Sequence, residues 1–394
     1  MLHNIYGKLR RITSNRLYFP EIDGIRFVAI MWVLLFHIHA YFIAKTGIKF
    51  EADPSRYFML NTFLNNGNRG VELFFVLSGF ILCLPFARHY INGSKKPLPK
   101  KYYLRRLTRL EPPYLIALTA TLLMQLLMHV HPPLTLLHSW LASLVYAHEA
   151  VYHRAPLVMV VAWSLEVEIQ FYMIAPVLFR LLAWPVYVRR IVLVASIFIA
   201  IVLQNLWSPS FTSIYGFIQY FMSGILLCDF FVSNTLQKIF NNKMMVVSAF
   251  ICFAVIIYLP INDPSYSPEF VFLSRIALPF FIGLFYYIIM KNDAVRKMFS
   301  YKFIPIIGGM CYSIYLLHYT IISIFGRITI NWHFTHSYLL NLCLQTTLLL
   351  IPVLILSSIF YYYVERPFMS NKWLAILMEK GKQPGVVAGE VGKN

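Results

Sequence analysis

A chain of 394 residues that is 59% hydrophobic and only 13% charged, with a mean hydropathy of +0.64, would carry dangerous exposed apolar surface as a soluble globule. The class that fits is a polytopic membrane protein. The formal net charge of +18 suggests nucleic acid only until the basic residues are located, because they fall in the gaps between apolar runs rather than along one polar face.

Reading for stretches of about 20 mainly apolar residues predicts an all-α integral membrane protein of about ten helices. They lie near 25–44, 70–88, 104–128, 157–182, 190–206, 212–232, 244–260, 270–290, 303–326 and 337–363. The first run is too long for the h-region of a signal peptide and lacks a small-residue cleavage site, so it is expected to remain as a helix. The segment 134–148, LTLLHSWLASLVYAH, is shorter and interrupted by polar groups, and is expected to be an interfacial or re-entrant helix.

With the N-terminus cytoplasmic, seven of the 34 lysines and arginines face outward: Lys45, Lys49, Arg56, Arg69, Arg154, Arg275 and Arg327. The other 27 lie at the inner face, which favours an N-in, C-in arrangement. The expected organisation is a cytoplasmic segment 1–24, a transmembrane domain 25–367 and a polar, partly disordered tail 368–394. The five cysteines, Cys83, Cys228, Cys252, Cys311 and Cys343, sit in apolar runs without CxxC or Cys/His clustering and read as packing residues, with no metal expected.

Ionisable groups inside apolar runs are costly, and in chain order they mark candidate sites. In PEIDGIRFVAIMWVLLFHIHAYF, Arg26 and His37 are 11 positions apart, or 1100° of helix, so they share a face about 16 Å apart along the axis. Arg26 alone would serve as a snorkelling anchor and His37 alone as an interhelical hydrogen-bonding group. His39 faces elsewhere and reads as structural.

The next run, GVELFFVLSGFILCLPF, carries Glu72, which needs a partner such as His37 if it faces the interior, and Ser78-Gly79, where the glycine permits close helix approach. The basic run KKPLPKKYYLRRLTRLEPPY would bind anionic headgroups, but Arg106 and Arg109 share a helix face in the geometry that suits phosphate. Pro112 and Pro113 are expected to disturb the backbone just beyond. In WSLEVEIQFY, Glu166 and Glu168 point to nearly opposite sides, so only one is expected at a site. Tyr312, Tyr315 and His318 form a polar seam at spacings of three, and Glu365 is expected to pair with one of the inner arginines.

Six pieces in order, EIDGIRFVAIMWVLLFH, GVELFFVLSGF, RRLTRLEPPY, WSLEVEIQFY, YSIYLLH and VERP, resemble the membrane acyltransferase family 3 across about 21–367. In that family an arginine with a histidine eleven positions on is the hallmark, and it falls here on Arg26 and His37. The family's paired arginines fall on Arg106 and Arg109, and its tryptophan-serine-leucine-glutamate-phenylalanine pattern is read, by the resemblance, as picking out Glu168 rather than Glu166. Two departures are Glu72, where aspartate is common, and Glu111 beside the double proline. The chain is also expected to carry no fused periplasmic esterase-like domain.

The resemblance implies transfer of an acyl group, most often acetyl, from cytoplasmic acyl-CoA to a hydroxyl of an envelope glycan such as lipopolysaccharide, or of a small metabolite. It places the protein in the bacterial inner membrane, among membrane lipid and without nucleic-acid partners. Arg26, Arg106 and Arg109 would hold the donor phosphates. His37 would act as general base or nucleophile, with Glu168 or Glu72 orienting it. Asp23, Glu72, Ser78, Tyr315, His318 and Glu365 complete the set as substrate-binding or supporting residues. The rival reading is a transporter or flippase of a polar solute, for which buried charges are also expected, although no inverted repeat or broken helix pair is visible.

Overall fold

The structure is a computed structural model that describes residues 11, 18–47, 54–207, 209–235, 243–332 and 335–369. Lys49, nearly all of the predicted N-terminal segment before Tyr18 and nearly all of the polar tail lie outside the described residues. Within them every regular element is helical and none is a strand. That is what lipid requires of a spanning chain, since an apolar solvent cannot satisfy backbone groups left unpaired.

In chain order the helices are α1 (Pro20–Lys45), α2 (Phe58–Asn65), α3 (Gly70–Asn92), α4 (Pro99–Leu127), α5 (Pro133–Leu144), α6 (His148–Tyr152), α7 (Trp163–Leu178) and α8 (Val186–Leu206). They continue with α9 (Ile218–Ser233), α10 (Met244–Tyr258), α11 (Pro268–Lys291), α12 (Asp293–Phe299), α13 (Ile304–Gly309), α14 (Cys311–Thr329), α15 (Tyr338–Phe360) and α16 (Arg366–Phe368). A π-helical turn, Tyr361–Glu365, joins the last two. The protein is an all-α membrane protein. Among the described residues six helices are long and apolar enough to cross a membrane.

Each of the ten predicted runs contains a helix, but the predicted span 157–182 begins late. A single 3-10 turn, Val160–Ala162, precedes Trp163; the backbone before it is irregular and is held from outside, with Gln125 Nε2 donating to the Val158 carbonyl at 3.0 Å and the Leu157 amide donating to Ser139 Oγ at 3.1 Å. The double proline, by contrast, does not interrupt α4.

The 12-residue α5 is too short to span, at roughly 18 Å. It turns back alongside α4: Tyr114 Oη donates to the Ser143 carbonyl at 2.9 Å, and the Tyr114 and Tyr146 rings stack at 4.9 Å. Tyr114 lies about 20 Å, at 1.5 Å per residue, from the α4 end at Leu127, so the segment folds back along α4.

Two hydrophobic clusters meet on α1. Ile25, Ala29 and Trp32 pack into the larger one, which draws on α3, α7, α8, α9, α10 and α11. Ile30, Leu34 and Ile38 face a second one shared with α14 and α15. In the first, α3 and α9 touch backbone to backbone: a Cβ on Gly79 would stand 2.4 Å from the Phe221 carbonyl oxygen, and one on Gly224 would stand 2.1 Å from that of Val76. Glycine at these two positions is what permits the approach.

Three buried charged side chains, Asp229, Arg189 and Arg69, stitch the same bundle, with the half-buried Arg190 beside them. Asp229, fully buried, accepts from Arg189 Nε and Arg190 Nε, each at 2.6 Å. Arg69, expected among the outward-facing basic residues, is buried and caps α10, donating to the Ile257 carbonyl at 3.0 Å and to those of Ile256 and Leu259. An arginine on the last carbonyls of a helix satisfies acceptors that have no partner within it.

Candidate active site

Four helices, α1, α3, α4 and α7, together with the first two turns of α14, enclose a cavity of about 120 Å³. Arg26, Arg106 and Arg109 project into it, with Ser78, Glu168, Tyr172 and Tyr315 among the polar groups opposite. The helical period brings Arg106 and Arg109 to one wall and Glu168 to another. The carboxylate of Glu168 accepts from Ser78 Oγ at 2.5 Å and from Tyr172 Oη at 2.8 Å. Glu166, two residues away, points outward from the cavity and ties down α6, accepting from the backbone amides of His148 at 3.1 Å and Glu149 at 3.0 Å.

The arginines differ in how they are neutralised. Arg26 pairs with Asp23, one turn before it, and the same Asp23 oxygen accepts from Arg11 at 2.9 Å. Arg106 lies 5.8 Å from the centre of the Tyr172 ring, within cation–π range. Among the described residues neither Arg106 nor Arg109 has a carboxylate within 4.0 Å, and Arg109 Nε is buried without a hydrogen-bond partner. Glu168, across the cavity, feels both guanidinium groups electrostatically without pairing with either; two forks left outside ion-pair contact have the geometry that suits an anion.

From this cavity a polar seam climbs α14. Tyr312 Oη donates to the Leu110 carbonyl at 2.9 Å. Tyr315 Oη donates to the Val161 carbonyl and lies 2.8 Å from Ser164 Oγ. His318 follows, with its ring centre 6.2 Å from that of Tyr315 and 5.1 Å from that of His37. On α1 the cavity is lined by Arg26 and Val33, and His37 stands one turn beyond Val33 on the same face. His37 is half-buried, and its ring also meets Tyr319 edge-on at 5.4 Å.

The pairing of the carboxylates differs from expectation. Glu168 is engaged by Ser78 and Tyr172, not by His37, because α7 approaches α3 rather than the upper part of α1. Glu72 lies at the far end of α3, next to Arg69 and the Tyr220 hydroxyl. Glu365, fully buried in the π-helical turn, is held by the amide and hydroxyl of Ser313. Arg109 acts on it electrostatically, outside ion-pair contact. Asp23 is the support of Arg26. Cys311, read as packing, is half-buried in the cavity wall, and His39 bonds to Tyr338 Oη at 2.9 Å, as a structural residue would.

Two participants were missed in the sequence. Arg11 carries no periodic signal, since it lies before α1 and joins the site only through tertiary contact with Asp23. Tyr172 is visible as the residue one turn after Glu168, the spacing that lets its hydroxyl reach back.

The acyltransferase 3 family model, described as an acyltransferase domain, matches residues 19–362. The chain belongs to this family. The match contains every residue that lines the cavity, and Glu365 falls just past its end. Similar proteins include the O-acetyltransferase OatA of Staphylococcus aureus strains MRSA252 and NCTC 8325, each 24% identical over 96% of this chain and 62% of the relative. The chain therefore spans about three fifths of the length of these curated relatives. No solved structure matches it.

Proposed function

We propose that this family member is a membrane-bound O-acyltransferase that moves an acyl group, most simply acetyl, from cytoplasmic acyl-CoA to a hydroxyl of an envelope or exported carbohydrate. The observation that carries the reading is the pair Arg106 and Arg109, two guanidinium groups facing a cavity with no carboxylate within ion-pair distance among the described residues. The arrangement proposed with it is ten crossings of the bacterial inner membrane with both termini cytoplasmic, so that these arginines stand near the entry.

At about 120 Å³ the cavity is well below the roughly 300–1,000 Å³ that encloses a drug-sized ligand. It suits a narrow chain, leaving the nucleotide of CoA at the mouth with its phosphates on Arg106, Arg109 and Arg26. The thioester arm then points along α1 toward His37.

There the unprotonated imidazole nitrogen takes the proton of the acceptor hydroxyl as its oxygen attacks the thioester carbon. The C–S bond breaks, and the imidazolium returns its proton to the departing CoA thiolate. An acyl-imidazole route uses the same atoms in two steps. Glu168, hydrogen-bonded by Ser78 and Tyr172, would fix the wall across which the arm passes.

The test is transfer from radiolabelled acetyl-CoA added to inverted membrane vesicles, with wild type and His37→Ala at equal levels. Label on carbohydrate or on the protein with wild type alone is expected. Label equal to that of empty vesicles for both, with native acceptor lipids present, would overturn the proposal.

A further inference from the structure

A catalytic histidine normally has its second nitrogen held by a carboxylate or a carbonyl, which fixes the tautomer. For His37 no such group is present among the described residues: it makes no hydrogen bond there, and Glu168 and Glu72 are engaged elsewhere. What lies against it is His318. That ring is fully buried, and its Nδ1 stands 2.8 Å from the Tyr315 carbonyl and 3.0 Å from the Ile314 carbonyl.

A nitrogen facing two carbonyl oxygens must carry the hydrogen, so neutral His318 presents a lone pair at Nε2. That atom is buried with no partner. A buried acceptor without a donor is an unstable arrangement, and the ring centred 5.1 Å away carries a donor. Rotation of His37 about its broad second side-chain torsion would bring an N–H toward Nε2.

We infer that His318 is the positioning residue of His37: its Nε2 accepts the hydrogen of one His37 nitrogen and so keeps the other unprotonated and turned toward the cavity. The inference rests on the function proposed above. When His37 takes the acceptor proton, its second N–H remains on His318, and a neutral imidazole fills the place a carboxylate fills elsewhere. A second carboxylate there would be a buried charge, whereas an imidazole tied to backbone carbonyls adds none.

The experiment compares His318→Gln, His318→Asn and His318→Phe in the full chain in vesicles, with acetyl-CoA as donor. The glutamine amide oxygen reaches the position of Nε2, and the asparagine amide reaches only that of Nδ1. Expected is a fall of about 10- to 100-fold in kcat for Asn and Phe, the scale of losing a group that orients another, with donor KM unchanged and Gln restoring most of the rate. Equal rates for all three variants, or a change in KM alone, would overturn the inference.

Histidine ¹⁵N spectra supply a readout independent of transfer. His37 should be a single tautomer in wild type and a mixture in His318→Phe, and a mixture in wild type would overturn the pairing. Wild type that transfers nothing but shows the single tautomer would remove the proposed function while leaving the pairing in place.

Discussion

Arg106→Ala tests the proposed binding of donor phosphates apart from every other role of the cavity. Arg106 makes no ion pair among the described residues, and Glu168 across the cavity, which feels its charge, keeps the hydrogen bonds of Ser78 and Tyr172 without it. A charge-assisted hydrogen bond to phosphate contributes about 1.5–3 kcal/mol, and at 1.4 kcal/mol per tenfold the KM for acetyl-CoA should rise about 10- to 150-fold. The assay is initial-rate transfer in vesicles with two donors, acetyl-CoA and acetyl-pantetheine, which carries the same thioester without phosphate. KM for acetyl-pantetheine should be the same in wild type and variant. Arg106→Lys should fall between, keeping the charge without the planar fork. Equal losses with both donors would refute the reasoning, because Arg106 would then be acting on the thioester end or on the fold.

Two further perturbations test the frame that holds the site. Asp23→Asn removes the charge that Arg26 and Arg11 share at one oxygen; breaking a buried pair from one side costs about 3–5 kcal/mol, and thermal unfolding in detergent should show it, with Arg11→Gln losing less because Arg26 keeps its partner. Gly224→Ala places a Cβ 2.1 Å from the Val76 carbonyl oxygen, so α3 and α9 must part by about 1.3 Å to reach ordinary contact, at the 1–3 kcal/mol of an overpacked core. An unchanged melting temperature in either variant would contradict the packing described.

What the sequence made legible is what one helix determines by itself. Arg26 with His37, Arg106 with Arg109, and the split between Glu166 and Glu168 all follow from a turn of 100° per residue, and each is found in the bundle. Gly79 was legible for the same reason, as a small residue within a long apolar run. What a side chain meets across the interface is set by which helices pack together, and the period of one helix carries no information about that. Hence Glu72 belongs to Arg69 and Tyr220, Glu168 to Ser78 and Tyr172, and Arg69 to the carbonyls of α10. The irregular stretch before Trp163 was hidden because its apolar residues resemble a helix, while the groups that stabilise it, Gln125 and Ser139, lie more than fifteen residues away in sequence.

The distribution of polarity within the cavity bears on how the proposed donor, a charged nucleotide with an uncharged acyl arm, would be admitted. Past the arginines the lining is chiefly apolar, with Val33, Phe74, Phe75, Leu77 and Leu110 around the path. A phosphate moved beyond Arg106 and Arg109 would lose its counter-charges as it lost water, which makes deeper entry prohibitive. An uncharged acyl arm meets no such barrier. Under the proposed function, the same arrangement would retain the nucleotide and admit the thioester, sorting the donor by charge along its own length. On the same proposal, imidazoles suit the far end, at His37 and His318, because an imidazole can hold and pass a proton without being a permanent charge in need of compensation.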